Sequence, residues 1–312
     1  MNLQQDAITQ YDDEIDLAEI FSILWGERKY ICLITLCFTF SAIFFSLITP
    51  NQYQAKAVMA PSHQDAGGLS SALDKFGGLA SLAGINIGDN IASEANVSIE
   101  IIQSRSFIEQ YIKQSGIAIE VMAANGWDAE NNRLLIDRDI YDPELMQWTR
   151  KPPRGRQAKP SSWEVFEEFS EKLTISQDKS SAFVTIGVES YSPYIAKQWV
   201  DNYILAANLY LQQRKLQKIE KNIDYLEQQI AMTSVAEMRE IFFTLIEEQV
   251  KSKMLVEASP DYAFTVVSEA MIPEEHLYPN RLLVVVLGTM LGIMFGVIVA
   301  FIRNYWFNKI HK

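Results

Sequence analysis

The side chains that carry most enzyme chemistry are thinly spread along this chain. The three histidines, His63, His276 and His311, lie far apart and show no metal-ligand spacing. Asp137-Arg138-Asp139 is a formal D-x-D, the short pattern in which paired carboxylates hold a metal and a sugar nucleotide. A match of two residues is cheap, and no nucleophile motif such as G-x-S-x-G accompanies it. The Gly- and Ser-rich stretch 66–89 raises the question of a phosphate-cradling loop. However, Lys75 is followed by Phe76 instead of Ser or Thr, and no GxxxxGK precedes it. A loop and small helix packed near a membrane or a neighbouring subunit is expected there instead. Cys32 and Cys37 share one apolar run and read as packing residues. The chain is therefore expected not to be an enzyme, with no catalytic residue, cofactor or metal. One chemically loaded cluster remains: Arg150, Lys151, Arg154, Arg156 and Lys159, around Pro152-Pro153 and Gly155. It reads either as a contact for an anionic glycan or acidic partner, or as a solvated Pro-rich linker.

Two apolar runs organise everything else. Tyr30–Ile48 and Leu282–Ile302 contain no charged residue, and each is long enough as a helix to cross the roughly 30 Å hydrocarbon core of a bilayer. Only a helix satisfies its own backbone at that depth, so both are expected to be transmembrane. A cleaved signal peptide is disfavoured for the first: the residues before it are acidic (Asp12, Asp13, Glu14, Asp16, Glu19), and Thr49-Pro50-Asn51 lacks a small-residue cleavage pattern. Arg28, Lys29, Arg303, Lys309 and Lys312 flank the outer ends of the spans, against Lys56 and Arg281 on the inner side. That bias places both termini in the cytoplasm and translocates the middle. The expected organisation is a cytoplasmic tail (1–29), a first span (30–48), a translocated domain (49–281), a second span (282–302) and a short cytoplasmic tail (303–312).

The middle carries a net charge near −10, which argues against nucleic acid or anionic phospholipid as a partner of its general surface. It also holds no cysteine, so it must rely on its core or on neighbours. Within it, 51–60 reads as a strand ended by Pro61, and 91–114 as a helix. Leu173–Ile175 and Phe183–Glu189 read as a hairpin, and Tyr262–Glu269 as a further strand. From Pro193 to Pro260 neither Gly nor Pro intervenes. Leu205, Leu209, Leu216, Ile219, Ile223, Leu226 and Ile230 form an a/d heptad seam there, with polar Gln212 at the missing position. The seam fades near Thr233-Ser234 and apolar spacing resumes at Met238. A helix over about 193–259 is too long to be buried in this domain and must project as an arm that rises and returns. Its seam must then pack on another helix or another copy, and a homo-oligomer is expected. The expected class is α+β: two transmembrane helices flanking a small α/β base with a long helical arm.

Several stretches resemble the polysaccharide co-polymerases, and among them the Wzz-type O-antigen chain-length determinants. Asp13-Glu14-Ile15-Asp16-Leu17 with Leu24-Trp25 before the first span is similar to that family's N-terminal signature. Gly77–Gly84 and Val188–Pro193 with Ala196 are similar to segments common in its members. Around the second span, Pro273, Pro279, Gly292 and Gly296 keep the spacing of the family pattern. Ala270, Tyr278 and Asn280 depart from its first proline, its serine and its lysine. Gly288, Gly292 and Gly296 recur every four residues on one helix face, either a close-packing surface or merely the common glycine of membrane helices. Pro273 and Pro279 are expected to stiffen the segment leading into the span.

The resemblance implies a non-enzymatic regulator of the modal length of lipopolysaccharide O-antigen made by the membrane polymerase of the Wzx/Wzy pathway. It implies rings of identical subunits in the bacterial inner membrane, with the central domain periplasmic. Expected partners are the O-antigen polymerase, through the Gly stripe, and the growing lipid-linked polysaccharide. A capsule or export co-polymerase is the alternative. Tails of about thirty and ten residues are expected to be too short for the kinase that some co-polymerases carry. Scaffolding of several polymerases and measurement of the glycan by the ring surface both stay open.

Overall fold

The computed structural model describes residues 24–62, 87–178 and 180–310. The Asp13–Leu17 and Gly77–Gly84 stretches, Lys75, His63, His311 and Lys312 lie outside the described residues. The chain divides into two units, Met1–Thr49 with Tyr278–Lys312, and Pro50–Leu277.

In the larger unit, alternating side chains build the sheet. β1 (Tyr53–Pro61) buries Ala55, Ala57 and Met59 while Lys56 faces out, as a strand covered on one side must. β7 (Val184–Ser190) buries Val184, Ile186 and Val188 and pairs antiparallel with β1, Ala57 opposite Ile186. β6 (Leu173–Gln177) flanks β7, and β8 (Phe264–Ser268) flanks β1 with a register shift between Val58 and Met59. The sheet order is β6-β7-β1-β8, so the sheet joins segments from both ends of the unit. Two short hairpins, β2 (Ala124–Asp128) with β3 (Arg133–Ile136) and β4 (Tyr141–Asp142) with β5 (Gln147–Trp148), lie between the helices and the basic loop in sequence.

The helix read over 91–114 is two helices, α2 (Ile87–Gln103) and α3 (Arg105–Ser115). Ser104 explains the break: its backbone is extended and its hydroxyl accepts the Phe107 N–H, so it starts a new helix instead of continuing the old one. Gly116 ends α3 in the left-handed conformation, where glycine carries no Cβ penalty. A short α4 (Ala118–Ala123) follows, and α5 (Ser162–Lys172) opens with a capping box between Ser161 and Glu164.

The arm is α6 (Pro193–Met232) and α7 (Ala236–Glu257), not one continuous helix. Ser192 caps α6 through the Ile195 N–H, with Pro193 in the first turn. Thr233 and Val235 are extended, and Thr233 O accepts from Arg239 Nε at 2.9 Å. Thr, Ser and Val in a row favour such a break over a helix interior. At 40 residues α6 is about 60 Å long. Its first turns lay Ala196, Val200, Tyr203 and Ala207 into the core with the sheet. Phe107 and Tyr111 of α3, Phe169 of α5, and Trp199 and Tyr203 complete an aromatic cluster there. The buried phenols are satisfied: Tyr203 donates to Ile102 O at 2.6 Å and Tyr111 to Trp199 O at 3.2 Å. Burial pushes both hydroxyls far above the usual phenol range.

The smaller unit pairs α1 (Arg28–Ile48) with α8 (Arg281–Ile310). Both helices are long and apolar enough to cross a membrane, and few of their residues are buried, unlike those of a soluble core helix. The Asn280 carboxamide oxygen accepts the Leu283 N–H at 3.3 Å, so a helix cap stands where the resembling family has lysine.

Candidate functional site

Three places hold the residues singled out above. In the helix pair, the Gly stripe is filled by α1 of the same chain. A Cβ on Gly288 would lie 2.4 Å from Ala42 Cβ. One on Gly292 would lie 2.9 Å from Phe38 Cβ and 3.0 Å from Thr35 Cα, and one on Gly296 3.1 Å from Ile31 Cα. α1 answers with small residues of its own at Thr35, Thr39, Ala42 and Ser46, a spacing the sequence reading passed over. Thr39 and Thr289 hydroxyls meet at 3.1 Å, and Phe38 stacks on Phe295 with ring centroids 5.5 Å apart. At one end Arg303 sits 3.5 Å over the Tyr30 ring and 3.7 Å from the Glu27 carboxylate. The stripe expected to face a partner is thus occupied in cis.

In the arm, the seam divides. Leu205 and Leu209, near the root, are 59% and 45% exposed. Leu216, Ile223, Leu226 and Ile230 are half-buried and Ile219 is buried, along the stretch where α7 lies against α6. Gln212, read as a gap in the seam, donates from one amide nitrogen to Val256 O at 2.8 Å and Ser259 O at 3.0 Å, tying down the end of α7. Lys253 pairs with Glu220 at 2.8 Å further along, so the helices run antiparallel. A second buried amide, Asn208, was not singled out by pattern. Its oxygen accepts from Ala263 and Phe264 N–H, and its nitrogen donates to Phe264 O at 2.9 Å, anchoring α6 to β8.

The basic loop is a folded clasp. Arg150 reaches both oxygens of buried Glu164 at 3.0 and 2.9 Å and donates to Ala158 O and Gln157 O, while Arg156 meets the same carboxylate at 3.2 Å. The Arg150 guanidinium, then the Ser161 N–H, hold the Glu164 carboxyl down at about 2. Two of the five clustered cations are therefore spent internally, and Lys151, Arg154 and Lys159 remain exposed. In the D-x-D, Asp137 accepts the Asp139 N–H and Arg138 pairs with Glu144, which makes it an ordinary turn. Among the described residues no group of three His, Cys, Asp or Glu side chains is arranged to hold a metal. Pro273 is half-buried, and the nearby Leu277 N–H donates to Gln52 O at 2.7 Å.

Comparison with known proteins gives two partial family matches. Residues 13–115 match the family model of the Wzz chain length determinant protein, and residues 227–305 match the model described as "G-rich domain on putative tyrosine kinase". No curated protein matches the chain. Among solved structures, a full-length bacterial polysaccharide co-polymerase aligns over 94% of this chain and 99% of its own at 13% identity and a TM-score of 0.41. A fragment of WzzB, a polysaccharide co-polymerase from Salmonella Typhimurium, aligns over 73% of this chain and 100% of its own at 14% identity and a TM-score of 0.30.

Proposed function

We propose that the chain is a Wzz-type polysaccharide co-polymerase and that it sets the modal chain length of lipopolysaccharide O-antigen made by the membrane polymerase of the Wzx/Wzy pathway. The observation that carries this is the chain-length-determinant match over 13–115. The spacing of Pro273, Pro279, Gly292 and Gly296 at the second span supports it. The protein acts without chemistry of its own, as a two-pass inner-membrane protein with both ends cytoplasmic and residues 49–281 periplasmic. It works as a ring of identical subunits beside the polymerase. The exposed Leu205 and Leu209 at the root of α6 support contact between copies better than the rest of the seam, which α7 covers.

The deciding experiment compares the O-antigen ladder of a strain lacking this protein with that of the same strain complemented. Deletion is expected to turn a clustered ladder into a random, short-biased one. An unchanged ladder with loss of capsule or another surface polymer would replace the proposal with an export role.

A further inference from the structure

A concave groove of about 580 Å³ lies where α3 meets the outer side of α6, within the usual size range of ligand pockets. Three cations line it, Arg214, Lys218 and Lys221, spaced three and four residues apart so that they share one face of the helix. No carboxylate lines it among the described residues, although the region between the spans is net acidic. Gln213 and Gln217 of α6 and Gln110 of α3 line it with the cations, as does Tyr210, whose ring packs on Phe107 with centroids 5.1 Å apart.

Like charges at these spacings repel, at a cost to the helix. Elsewhere on the arm the chain avoids that cost by pairing, as Lys253 does with Glu220. Here three cations stand together with no ion pair to any of them among the described residues, beside amides that hold both donors and acceptors. Amides, a phenol and uncompensated cations along one trough suit a ligand that is an extended polyol bearing carboxylate or phosphate groups.

We propose that the groove between α3 and α6 binds an acidic polysaccharide. Arg214, Lys218 and Lys221 take its anionic groups, and the Gln110, Gln213 and Gln217 amides take its hydroxyls. The choice of a polysaccharide among anions rests on the co-polymerase reading; the charge and shape of the groove do not.

The test uses the full-length protein in detergent, with polygalacturonate as acidic probe and dextran as neutral control. The variant R214Q/K218Q/K221Q is compared with K151Q/R154Q/K159Q, which removes as many exposed cations from the basic loop. Polygalacturonate is expected to bind the parent in a salt-weakened manner and dextran much less. The groove variant should lose at least about tenfold in affinity, the scale of one charge-assisted hydrogen bond, with unchanged circular dichroism, and the loop variant should keep it. Lys218→Gln alone should move in the same direction. The proposal is overturned if the parent does not bind polygalacturonate, if the groove variant binds as the parent does, or if the loop variant is the one that loses binding. It is also overturned if the groove variant keeps its binding and changes only its oligomeric size, which would assign the cations to a second copy. Binding is read in vitro, so its failure is separable from failure of length control, which is read on the ladder.

Discussion

Gly288→Ala should loosen the α1–α8 pair, and Ala42→Gly should tighten it again. The new Cβ would sit 2.4 Å from Ala42 Cβ, whereas carbons rest about 3.5–4.0 Å apart, so the helices must separate by about 1 Å or more. Over-packing of this kind costs about 1–3 kcal/mol, roughly five- to 150-fold in the pairing equilibrium. With Ala42 reduced to Gly, the next atoms are Phe38 O at 3.7 Å and Ala42 Cα at 3.8 Å, ordinary contacts. The readout is disulfide formation between cysteines at positions 39 and 289, whose hydroxyls lie 3.1 Å apart in the parent, with Cys32 and Cys37 changed to Ser. Gly288→Ala should slow cross-linking and the Ala42→Gly double variant should restore it. Gly292→Ala should slow it without a comparable one-residue rescue, because Thr35 Cα, a backbone atom, stands 3.0 Å away. Parental cross-linking in Gly288→Ala, or no recovery in the double variant, would refute the reasoning.

Two further changes probe the larger unit of the full-length protein by thermal unfolding. Asn208→Ala removes three hydrogen bonds at a buried site and strands the backbone groups of Ala263 and Phe264, so a loss of about 2–4 kcal/mol is expected; an unchanged Tm would show that α6 is held to β8 by packing alone. Arg150→Ala should cost about 1–3 kcal/mol at neutral pH, a figure kept low because Arg156, 48% exposed, still reaches Glu164. Glu164 titrates at about 2 in the fold against an ordinary 4.5, so its stabilisation is complete above about 4.5 and lost as pH falls through about 2. The gap between parent and variant should therefore shrink on acidification, and a gap independent of pH would reject the Glu164 clasp as its source.

The elements were legible where a single period ran uninterrupted. β1, β6, β7 and β8 follow alternation, and the two apolar helices follow length and absence of charge. Boundaries were lost where one side chain diverts the backbone, since the apolar period of 91–114 runs straight through the cap at Ser104. The heptad seam was visible, but its partner was not. Period says that a stripe needs cover, and the bonds from Gln212 to Val256 and Ser259, with the Lys253–Glu220 pair, show that α7 supplies it. The basic loop misled in a similar way: counting charge made five candidate cations, while Glu164, which spends two of them, sits in the next helix as an unremarked capping residue. The groove between α3 and α6 needs residues about a hundred positions apart and leaves no local pattern.

The filled Gly stripe changes what a membrane contact with the proposed polymerase can be. A surface that already holds Ile31, Thr35, Phe38 and Ala42 at 2.4–3.1 Å from the missing Cβ positions has no room for a second helix. A partner would meet the outward faces instead, where Leu36, Phe40 and Phe44 on α1 and Met290 and Met294 on α8 are more than half exposed. In lipid those faces gain nothing from the hydrophobic effect, so a partner must be held by close packing or polar contacts at particular positions. The two kinds of variant then separate. A glycine substitution acts by spreading α1 from α8 and must lower cross-linking whenever it alters chain length. A substitution on the outward faces that alters chain length must leave cross-linking at the parental rate, because nothing between the two helices has moved.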